Sequence, residues 1–325
     1  MGSPWGWAGA LLRLIGGRPR PPAAESEVTR EPIPEGPLLS ITGAMLTHCG
    51  LVRSHNEDSV GYSLPEAGDL PGRALFVVAD GMGGHAAGEV ASHLAVETIF
   101  RLYREDGSPL PERLARCFRS ANALIYQKAR AEPAWAGMGT TCTALALAGN
   151  RLFLGHIGDS RAYLIRDGQA HQISRDHTLV AELVEKGVLT AAEAARSPER
   201  NVLTRAFGVR IDSGYEVDPV GLPLQAGDCL LVCSDGLHDL VSPPQMVALI
   251  GPQSPYDACQ SLVEAALQAG GHDNISAGIL RLSLPSLPEL AAKERPTRPA
   301  AGPAEEVAPD SGPPEPDRLA HESPI

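Results

Sequence analysis

Short apolar runs, each closed by turn residues, recur through the middle of the chain and limit the folds it can adopt. They cover residues 74–80, 140–149, 151–159, 161–168, 228–236 and 274–283. Runs of this length that end at glycine, aspartate or serine predict β-strands. Asp167 and Gly168 tolerate the positive φ angles of a tight hairpin, so the strands on either side of them are predicted to be antiparallel neighbours.

Two consecutive segments between these runs show apolar residues at helical spacing. The first carries Ala91, Leu94, Ala95, Ile99 and Leu102, and the second carries Leu114, Cys117, Phe118, Ala121 and Ile125. This spacing predicts two amphipathic helices in succession. Strands joined in hairpins, with helices inserted in pairs, favour an α+β layered fold over a doubly wound parallel sheet.

Proline-rich segments lie on either side of this pattern. Residues 18–37 contain six prolines and residues 286–325 contain nine, and neither segment has the apolar content that would repay ordering. The sequence therefore predicts three parts. They are a largely disordered N-terminal extension over 1–41, one folded domain over 42–283, and a Pro-rich acidic disordered tail over 284–325.

Charge and cysteine usage narrow the partners and the compartment. The formal net charge of -12, from 27 basic and 39 acidic residues, argues against nucleic acid or an anionic lipid surface as the main partner. The six cysteines form no CxxC pair, which favours free thiols in a reducing compartment. No run reaches the roughly 20 apolar residues that a membrane-spanning helix needs. We therefore expect a cytoplasmic protein without a transmembrane segment.

Acidic residues follow four of the apolar runs or precede them directly. They are Asp80 before Gly81, Asp159 before Ser160, Asp235 before Gly236 and Asp273 before Asn274. A fifth acidic position is the adjacent pair Glu57 and Asp58, with Arg53 upstream. Each position alone is typical of an ordinary turn. Together they would place several carboxylates at the mouth of one core, where they repel one another unless cations neutralise them.

The residue types also indicate which cation would fit. Carboxylates and carbonyls are hard oxygen donors, and without a convergent Cys or His pattern they suit Mg²⁺ or Mn²⁺ better than Zn²⁺. Two such ions about 3.5–4 Å apart activate water and clamp an oxyanion in phosphate-ester hydrolysis. Other catalytic patterns are missing from the sequence: GxxxxGK[ST], HExxH and GxSxG. "GMGGH" does not match GxGxxG, and Asp80 before it would repel a nucleotide phosphate.

Seven segments resemble one enzyme family in their order and spacing. They are "GLVRSHNEDSV", "VVADGMGGH", "GMGTTCTAL", "GHIGDSRAYLIRDG", "NVLTRAFG", "LLVCSDGLHDLV" and "GGHDNISAGIL". They are similar to motifs of the metal-dependent protein serine/threonine phosphatases of type 2C (PPM), in their compact bacterial form, over about residues 42–283. The resemblance implies a four-layer α-β-β-α sandwich of two antiparallel sheets flanked by helix pairs. It also implies hydrolysis of phosphoserine and phosphothreonine in proteins, by in-line attack of a metal-bridging hydroxide, which reverses a Ser/Thr protein kinase.

The same resemblance implies a role for each matching residue. Two Mn²⁺ or Mg²⁺ ions, and a third weaker one, would be held by Glu57, Asp80, Gly81, Asp159, Asp235 and Asp273. Asp80 would bridge the two core ions and Asp159 would hold the third. Arg53 would grip the substrate phosphate and Asp58 would order metal-bound waters.

The proton donor to the leaving group is less defined. Animal relatives have a histidine where this chain has Met82, so His85 and a metal-bound water remain alternative general acids. His156, Arg161, His238 and Asp239 are predicted to be structural. Arg205 is predicted to be structural as well, although contact with the phosphoprotein stays open because it follows a region, "LVEKGVLTAAEAARSPER", that matches the mobile flap of the family.

Two other functions compete with a phosphatase. A catalytically silent member of the fold, which only binds phosphoproteins or regulates a partner, would be expected to lack Arg53, Asp80, Asp235 or Asp273. A two-metal nuclease or small-molecule phosphoesterase would need basic substrate-facing residues. We therefore expect a phosphatase whose partners are phosphorylated proteins and a cognate Ser/Thr kinase, and which is a monomer.

Overall fold

The computed structural model describes residues 39–65, 74–83, 86–105 and 108–285. The strands are β1 Ser40–His48, β2 Asp58–Ser63, β3 Ala74–Met82, β4 Gly139–Thr140, β5 Cys142–Ala148, β6 Arg151–Ile157, β7 Arg161–Arg166, β8 Gln169–Gln172, β9 Glu216–Val217, β10 Leu222–Pro223, β11 Cys229–Cys233 and β12 Ile275–Ser283. The helices are α1 Ala86–Glu105, α2 Leu110–Ala131, α3 Leu179–Glu185, α4 Ala191–Ala194, α5 Asp235–His238, α6 Pro243–Ile250 and α7 Pro255–Gln268, with a short 3-10 turn at Pro133–Trp135. His85 and nearly all of the predicted extension and tail lie outside the described residues.

The strands form two sheets in which the paired strands are antiparallel. The first sheet has the order β1-β12-β11-β7-β8. The second has the order β10-β6-β5-β3-β2, with β4 beside β3 and β9 beside β6. Asp167 and Gly168 link β7 to β8 with φ angles of 52° and 72°, which confirms the predicted hairpin turn.

Apolar side chains divide the molecule into layers. Between the sheets lie side chains such as Phe76, Val78, Leu145, Leu164, Leu230, Val232 and Leu280. Helices α1 and α2 cover the outer face of the second sheet through Ile99, Leu114 and Phe118, among others. Helices α6 and α7 cover the outer face of the first sheet through Met246, Ile250 and Leu262, among others. The predicted α+β, four-layer α-β-β-α sandwich is therefore confirmed.

The sequence did not reveal strands β1 and β2. Strand β1 lies at the edge of its sheet, pairing with β12 alone, and only Ala44 among its residues is fully buried. Strand β2 is likewise an edge strand that is mostly half-buried. An edge strand that is partly exposed needs no continuous apolar run, so its pattern is weak.

This topology brings the predicted acidic positions towards one end of the sandwich. Asp58 at the start of β2 lies opposite Asp80 near the end of β3. Because β11 and β12 are antiparallel, with Cys233 opposite Ala277, the end of β11 lies beside the start of β12. Asp235 follows β11 and Asp273 precedes β12, so these two acidic residues also become neighbours.

None of the helices within the described ranges has the length and apolar character that would let it span a bilayer.

Candidate metal and phosphate site

Residues from separate strand ends line one pocket of about 810 Å³. Its walls include seven of the predicted site residues: Arg53, Glu57, Asp80, Gly81, Asp159, Asp235 and Asp273. Asp58 lies behind this surface and is 6% exposed. His85, the remaining predicted site residue, falls outside the described residues.

Asp58 is held by two serines in the buried wall behind the pocket. Its Oδ2 accepts hydrogen bonds from Ser234 Oγ at 2.8 Å and Ser276 Oγ at 2.6 Å. Its Oδ1 is buried and has no hydrogen-bond partner among the described residues. Burial raises the pKa of Asp58 to about 7, since the charges of Asp235 and Asp273 add to the effect while the serine bonds oppose it. Asp58 is therefore a fixed acceptor whose ionisation the protein itself does not favour.

Three further aspartates share this unfavourable electrostatic environment. Burial raises the pKa of Asp80 well above its usual range, and the nearby charges of Asp58 and Asp235 raise it further. Burial and the charge of Asp235 do the same to the pKa of Asp159. The pKa of Asp235 is also raised by burial, although His238 works against the shift. Carboxylates that are buried together without matching cations destabilise a folded protein.

The donor chemistry of this pocket fits divalent cations. All the predicted ligand atoms are oxygens, and Asp235 Oδ1, like Asp58 Oδ1, is buried without a hydrogen-bond partner in the described part of the chain. Within that part, no three His, Cys, Asp or Glu side chains already surround a common point as ligands would. Asp273 is turned instead towards Arg53. The fit therefore rests on the oxygen-only donor set and its unsatisfied oxygens, which suit Mg²⁺ or Mn²⁺, and not on a preformed cage.

Gly81 is a position where no larger residue fits. A Cβ atom there would lie 2.2 Å from the carbonyl oxygen of Gly88 in α1 and 2.6 Å from that of Glu57. Gly81 N donates to the Glu57 carbonyl at 3.1 Å. Only glycine lets the end of β3 pack this closely against both α1 and the segment that carries Glu57.

Arg53 is a cation that contacts one of the acidic residues directly. Its Nη2 donates to Asp273 Oδ2 at 2.7 Å, while its side chain remains 49% exposed. Partial burial lowers the pKa of Arg53, but Asp273, Glu57 and Asp80 raise it more, so the net shift is upward. The guanidinium stays charged and open to solvent beside the carboxylates, where it can bind an anion.

Polar residues beside the acidic positions hold this arrangement in place, and the sequence reasoning gave them no role. Asn274, which is 4% exposed, accepts from Glu57 N at 2.8 Å and donates to the carbonyls of Cys49 and His55, both at 2.9 Å. It thereby fixes the loop that carries Arg53 and Glu57. Thr141 Oγ1 accepts from Asp80 N at 2.9 Å. The sequence did hold a signal for both residues. Asn274 directly follows Asp273, and Thr141 lies at the start of the apolar run 140–149.

The residues predicted to be structural have protein partners. His156 Nδ1 lies 2.9 Å from Thr143 Oγ1 and its Nε2 lies 2.8 Å from the Arg175 carbonyl. Arg161 forms a bidentate pair with Asp176. His238 Nε2 donates to the Asp159 carbonyl at 3.0 Å, and Asp239 lies 3.4 Å from His238 Nδ1.

Arg205 combines a structural contact with a position on the pocket wall. Its Nη1 lies 3.3 Å from Glu216 Oε1 and 3.2 Å from the Gly214 carbonyl. The segment before it, with α3 and α4, is closed at its base by the bridge between Thr178 and Leu203. Residues 201, 203–206, 209, 210 and 212–214 continue the pocket wall beyond the acidic end.

Comparisons with known proteins point to one family. The model of the family described as "Protein phosphatase 2C" matches residues 52–268. Serine/threonine protein phosphatase PstP of Mycobacterium tuberculosis is 43% identical over 230 residues, 70% of this chain and 42% of that protein. Protein phosphatase PhpP of Streptococcus pneumoniae is 35% identical over 245 residues, 74% of this chain and 97% of that protein.

Solved structures of phosphatases have the same fold as this chain. The catalytic domain of PstP, in complex with two manganese ions, superposes with a TM-score of 0.65 at 39% identity, covering 75% of this chain and 99% of that chain. The chain thus spans about two fifths of the length of the mycobacterial relatives it matches, but it covers 99% of the solved PstP catalytic domain.

Proposed function

The chain belongs to the protein phosphatase 2C family, and on this basis we propose that it is a metal-dependent protein phosphatase. Its substrates would be phosphoserine and phosphothreonine side chains of proteins, and it would reverse the action of a Ser/Thr protein kinase. The observation that best supports the proposal is the convergence of four strand-end aspartates and Arg53 in one pocket. A catalytically silent member of the fold would not need that combination.

The proposed metal set is Glu57, Asp80, the Gly81 carbonyl, Asp235 and Asp273, with Asp159 and Asp235 for a third, weaker ion. Mn²⁺ or Mg²⁺ ions held there would lower the pKa of a water molecule, which makes it a better nucleophile towards phosphorus. They would also stabilise the negative charge on the phosphoryl oxygens. The catalytic residues are Arg53 and Asp58, with His85 as the proposed proton donor.

Arg53 and Asp58 act on different groups in this proposal. The exposed fork of Arg53 would bind two phosphoryl oxygens and align the ester for in-line displacement. Asp58, fixed by Ser234 and Ser276, would accept a hydrogen bond from water in the buried wall. Asn274 positions Arg53 and Glu57 through the backbone of their loop.

His85 can be tested against water through the leaving group. An alkoxide needs a proton as it departs, whereas an aryl oxide leaves without one. His85→Gln should slow a phosphothreonine peptide by about 100-fold and leave an aryl phosphate nearly unaffected. If His85→Gln hydrolyses both substrates at the wild-type rate, water and not His85 would supply the proton.

The proposed activity itself is tested with a phosphothreonine peptide in the presence of Mn²⁺, of chelator, and in the Asp80→Asn variant. Phosphate release should require the metal and Asp80. Asp167→Asn is the matched control, because this exposed turn residue has a φ of 52° that asparagine also adopts. Activity that survives both chelation and Asp80→Asn would reject the metal mechanism. No release from any phosphopeptide would favour a silent binder, and cleavage of DNA or RNA would favour a nuclease.

The remaining assignments follow from this proposal. We place the catalytic domain at 42–283, supported by a first strand that begins at Ser40 and a last strand that ends at Ser283. Ser40 and Ile41 of the predicted extension 1–41 belong to β1, where they pair with β12. Nearly all of the rest of that extension and of the tail 284–325 lies outside the described residues. The partners would be phosphoproteins and a cognate kinase, and the enzyme would act as a monomer. A cytoplasmic location is supported by the six cysteines, all of them free thiols.

A further inference from the structure

The pocket extends well beyond the acidic end. Its volume of about 810 Å³ lies towards the upper end of the range for small-molecule sites, roughly 300–1,000 Å³. A large part of the wall comes from the segment 201–214 rather than from the strand-end acids. The pocket therefore has room for residues of a substrate on either side of the phosphorylated one.

The loop 207–211 within this segment is held by hydrogen bonds from α2 and β4. Asn122 of α2, only 2% exposed, donates from Nδ2 to the carbonyls of Arg210 at 2.9 Å and Ile211 at 2.8 Å. Its Oδ1 accepts from Gly208 N at 2.9 Å. Phe207 is also paired with Thr140 of β4 in both directions. The backbone of Arg210 is thus preorganised, which lowers the entropic cost of binding through its side chain.

Three guanidinium groups line the pocket, and two of them have partners. Arg53 pairs with Asp273, and Arg205 contacts Glu216 and the Gly214 carbonyl. The exposed side chain of Arg210 has no ion pair or hydrogen bond to any residue that the structure describes. Asp212, two residues further on, also lines the pocket but makes no ion pair with it.

Ser213, three residues after Arg210 in the chain, carries a second polar group without a partner among the described residues. Ser213 is 7% exposed and lines the same pocket. Its Oγ is buried without a hydrogen-bond partner among the described residues. A planar guanidinium and a hydroxyl on the wall of one pocket suit a carboxylate or a phosphate, since both anions accept several hydrogen bonds.

We propose that Arg210, assisted by Ser213, forms a second anion-binding position that selects phosphoproteins with an acidic group near the phosphorylated residue. This rests on the proposed phosphatase function and refines its substrate class. Arg53 stands with the metal ligands and would bind the phosphate that is removed. Arg210 stands on a different loop and would bind a neighbouring anionic group that is retained.

The test measures kcat/KM with Mn²⁺ on phosphothreonine peptides of equal length. One series places glutamate in turn at each flanking position, a second places a non-hydrolysable phosphonate there, and a third places lysine. A neutral peptide is the reference. We expect wild type to prefer the best acidic peptide over the neutral one by about tenfold, the size of one charge-assisted interaction. The first two series distinguish a carboxylate from a phosphate as the anion.

The variants assign this preference to Arg210. In Arg210→Ala the ratio of acidic to neutral peptide should fall to about one, and Arg210→Glu should shift the preference towards the lysine peptides. Arg196→Ala is the matched control, because Arg196 is exposed shortly before the segment 201–214 in the chain but does not line the pocket. It should keep the wild-type ratio.

Three results would overturn the proposal. Wild type could release phosphate from all peptides without preference, or could prefer lysine, which would point to Asp212 as the recognising group. Arg210→Glu could also keep the preference for acidic peptides. If wild type releases phosphate from no peptide, the proposed function fails first and this inference fails with it.

Discussion

Two groups of aspartates are wholly or partly buried in this protein, and only one of them is neutralised by arginines. Asp228 is 2% exposed and accepts from Arg166 Nε at 2.7 Å and Nη2 at 2.5 Å. Burial alone would raise the pKa of Asp176, but the hydrogen bonds and charge of Arg161 lower it overall. Asp80, Asp159 and Asp235 have no arginine paired with them among the described residues, and the pKa of each is raised.

The difference separates structural acids from functional ones. A structural carboxylate is matched by a guanidinium that stabilises its charge in the fold. The strand-end carboxylates are left to repel one another, at a cost in stability that a bound cation would reverse. Acids of the first kind should therefore matter for folding, and acids of the second kind for activity.

The largest effect on stability is expected at the structural pair. Asp228→Asn leaves Arg166 buried without its counter-charge, so the free energy of unfolding should fall by about 3–5 kcal/mol. Urea unfolding in the presence of chelator measures this. A loss below about 1 kcal/mol would show that the pair is not structural and would remove one side of the comparison.

The largest effect on catalysis, apart from the metal ligands, is expected at Arg53. Arg53→Ala should lower kcat for a phosphothreonine peptide by about 100- to 1,000-fold, the usual cost of removing one donor to developing negative charge. Its stability should change little, because the side chain is 49% exposed and exposed pairs contribute at most about 1 kcal/mol. An equally active variant would remove Arg53 from the site.

His156 illustrates a third way of burying an ionisable group, which is to keep it neutral. Burial and the nearby His177 lower the pKa of His156 from 6.5 to about 4. Between pH 6.5 and about 4 the unfolded chain binds a proton at this histidine more readily than the folded protein does. The free energy of unfolding is therefore unaffected by this group above pH 6.5 and falls as the pH drops towards 4. The shift corresponds to about 3 kcal/mol.

The measurement for this prediction is urea unfolding across that pH range in chelator. His156→Gln will be less stable overall, but its stability should fall less than that of wild type as the pH drops. His93→Gln, at an exposed position on α1, is the control and should follow wild type. Parallel curves for wild type and His156→Gln would contradict the buried neutral imidazole.

The smallest expected change in stability comes from the serines that hydrogen-bond Asp58. Ser234→Ala removes one of the two hydroxyl donors to Asp58 Oδ2 and should destabilise the metal-free protein by about 1 kcal/mol. Ser261→Ala, on an exposed face of α7 with a bond of 3.4 Å to Gln253, is the control. A loss as large as that of Asp228→Asn would place Asp58 among the structural acids.

The sequence predicted the fold where apolar pattern and turn chemistry agreed. Six of the predicted runs became strands that have a neighbour on both sides within their sheet: β3, β5, β6, β7, β11 and β12. Both faces of these strands are buried, so their apolar sequence runs are nearly continuous. Strand β1 was missed because an edge strand carries a weak pattern. The acidic positions were found because aspartate follows or precedes these runs directly.

Contacts between distant segments were beyond the sequence. Nothing local relates Asn274 to Glu57, 217 residues away, or Asn122 to Arg210, 88 residues away. These amides satisfy backbone groups that only the folded chain brings together. The sequence thus identified residues that would face the metals and the phosphate, but not the residues that hold them in position.

The strand-end acids are expected to destabilise the fold until cations neutralise them. Thermal unfolding of wild type and Asp80→Asn, in chelator and in Mn²⁺ near neutral pH, tests this most directly. Asp80→Asn should melt at or above wild type in chelator, and Mn²⁺ should raise the melting temperature of wild type only. A change of 1 kcal/mol corresponds to about 2–4 °C in a domain of this size. If Asp80→Asn melts well below wild type in chelator, or if Mn²⁺ stabilises both proteins equally, these acids do not destabilise the metal-free fold.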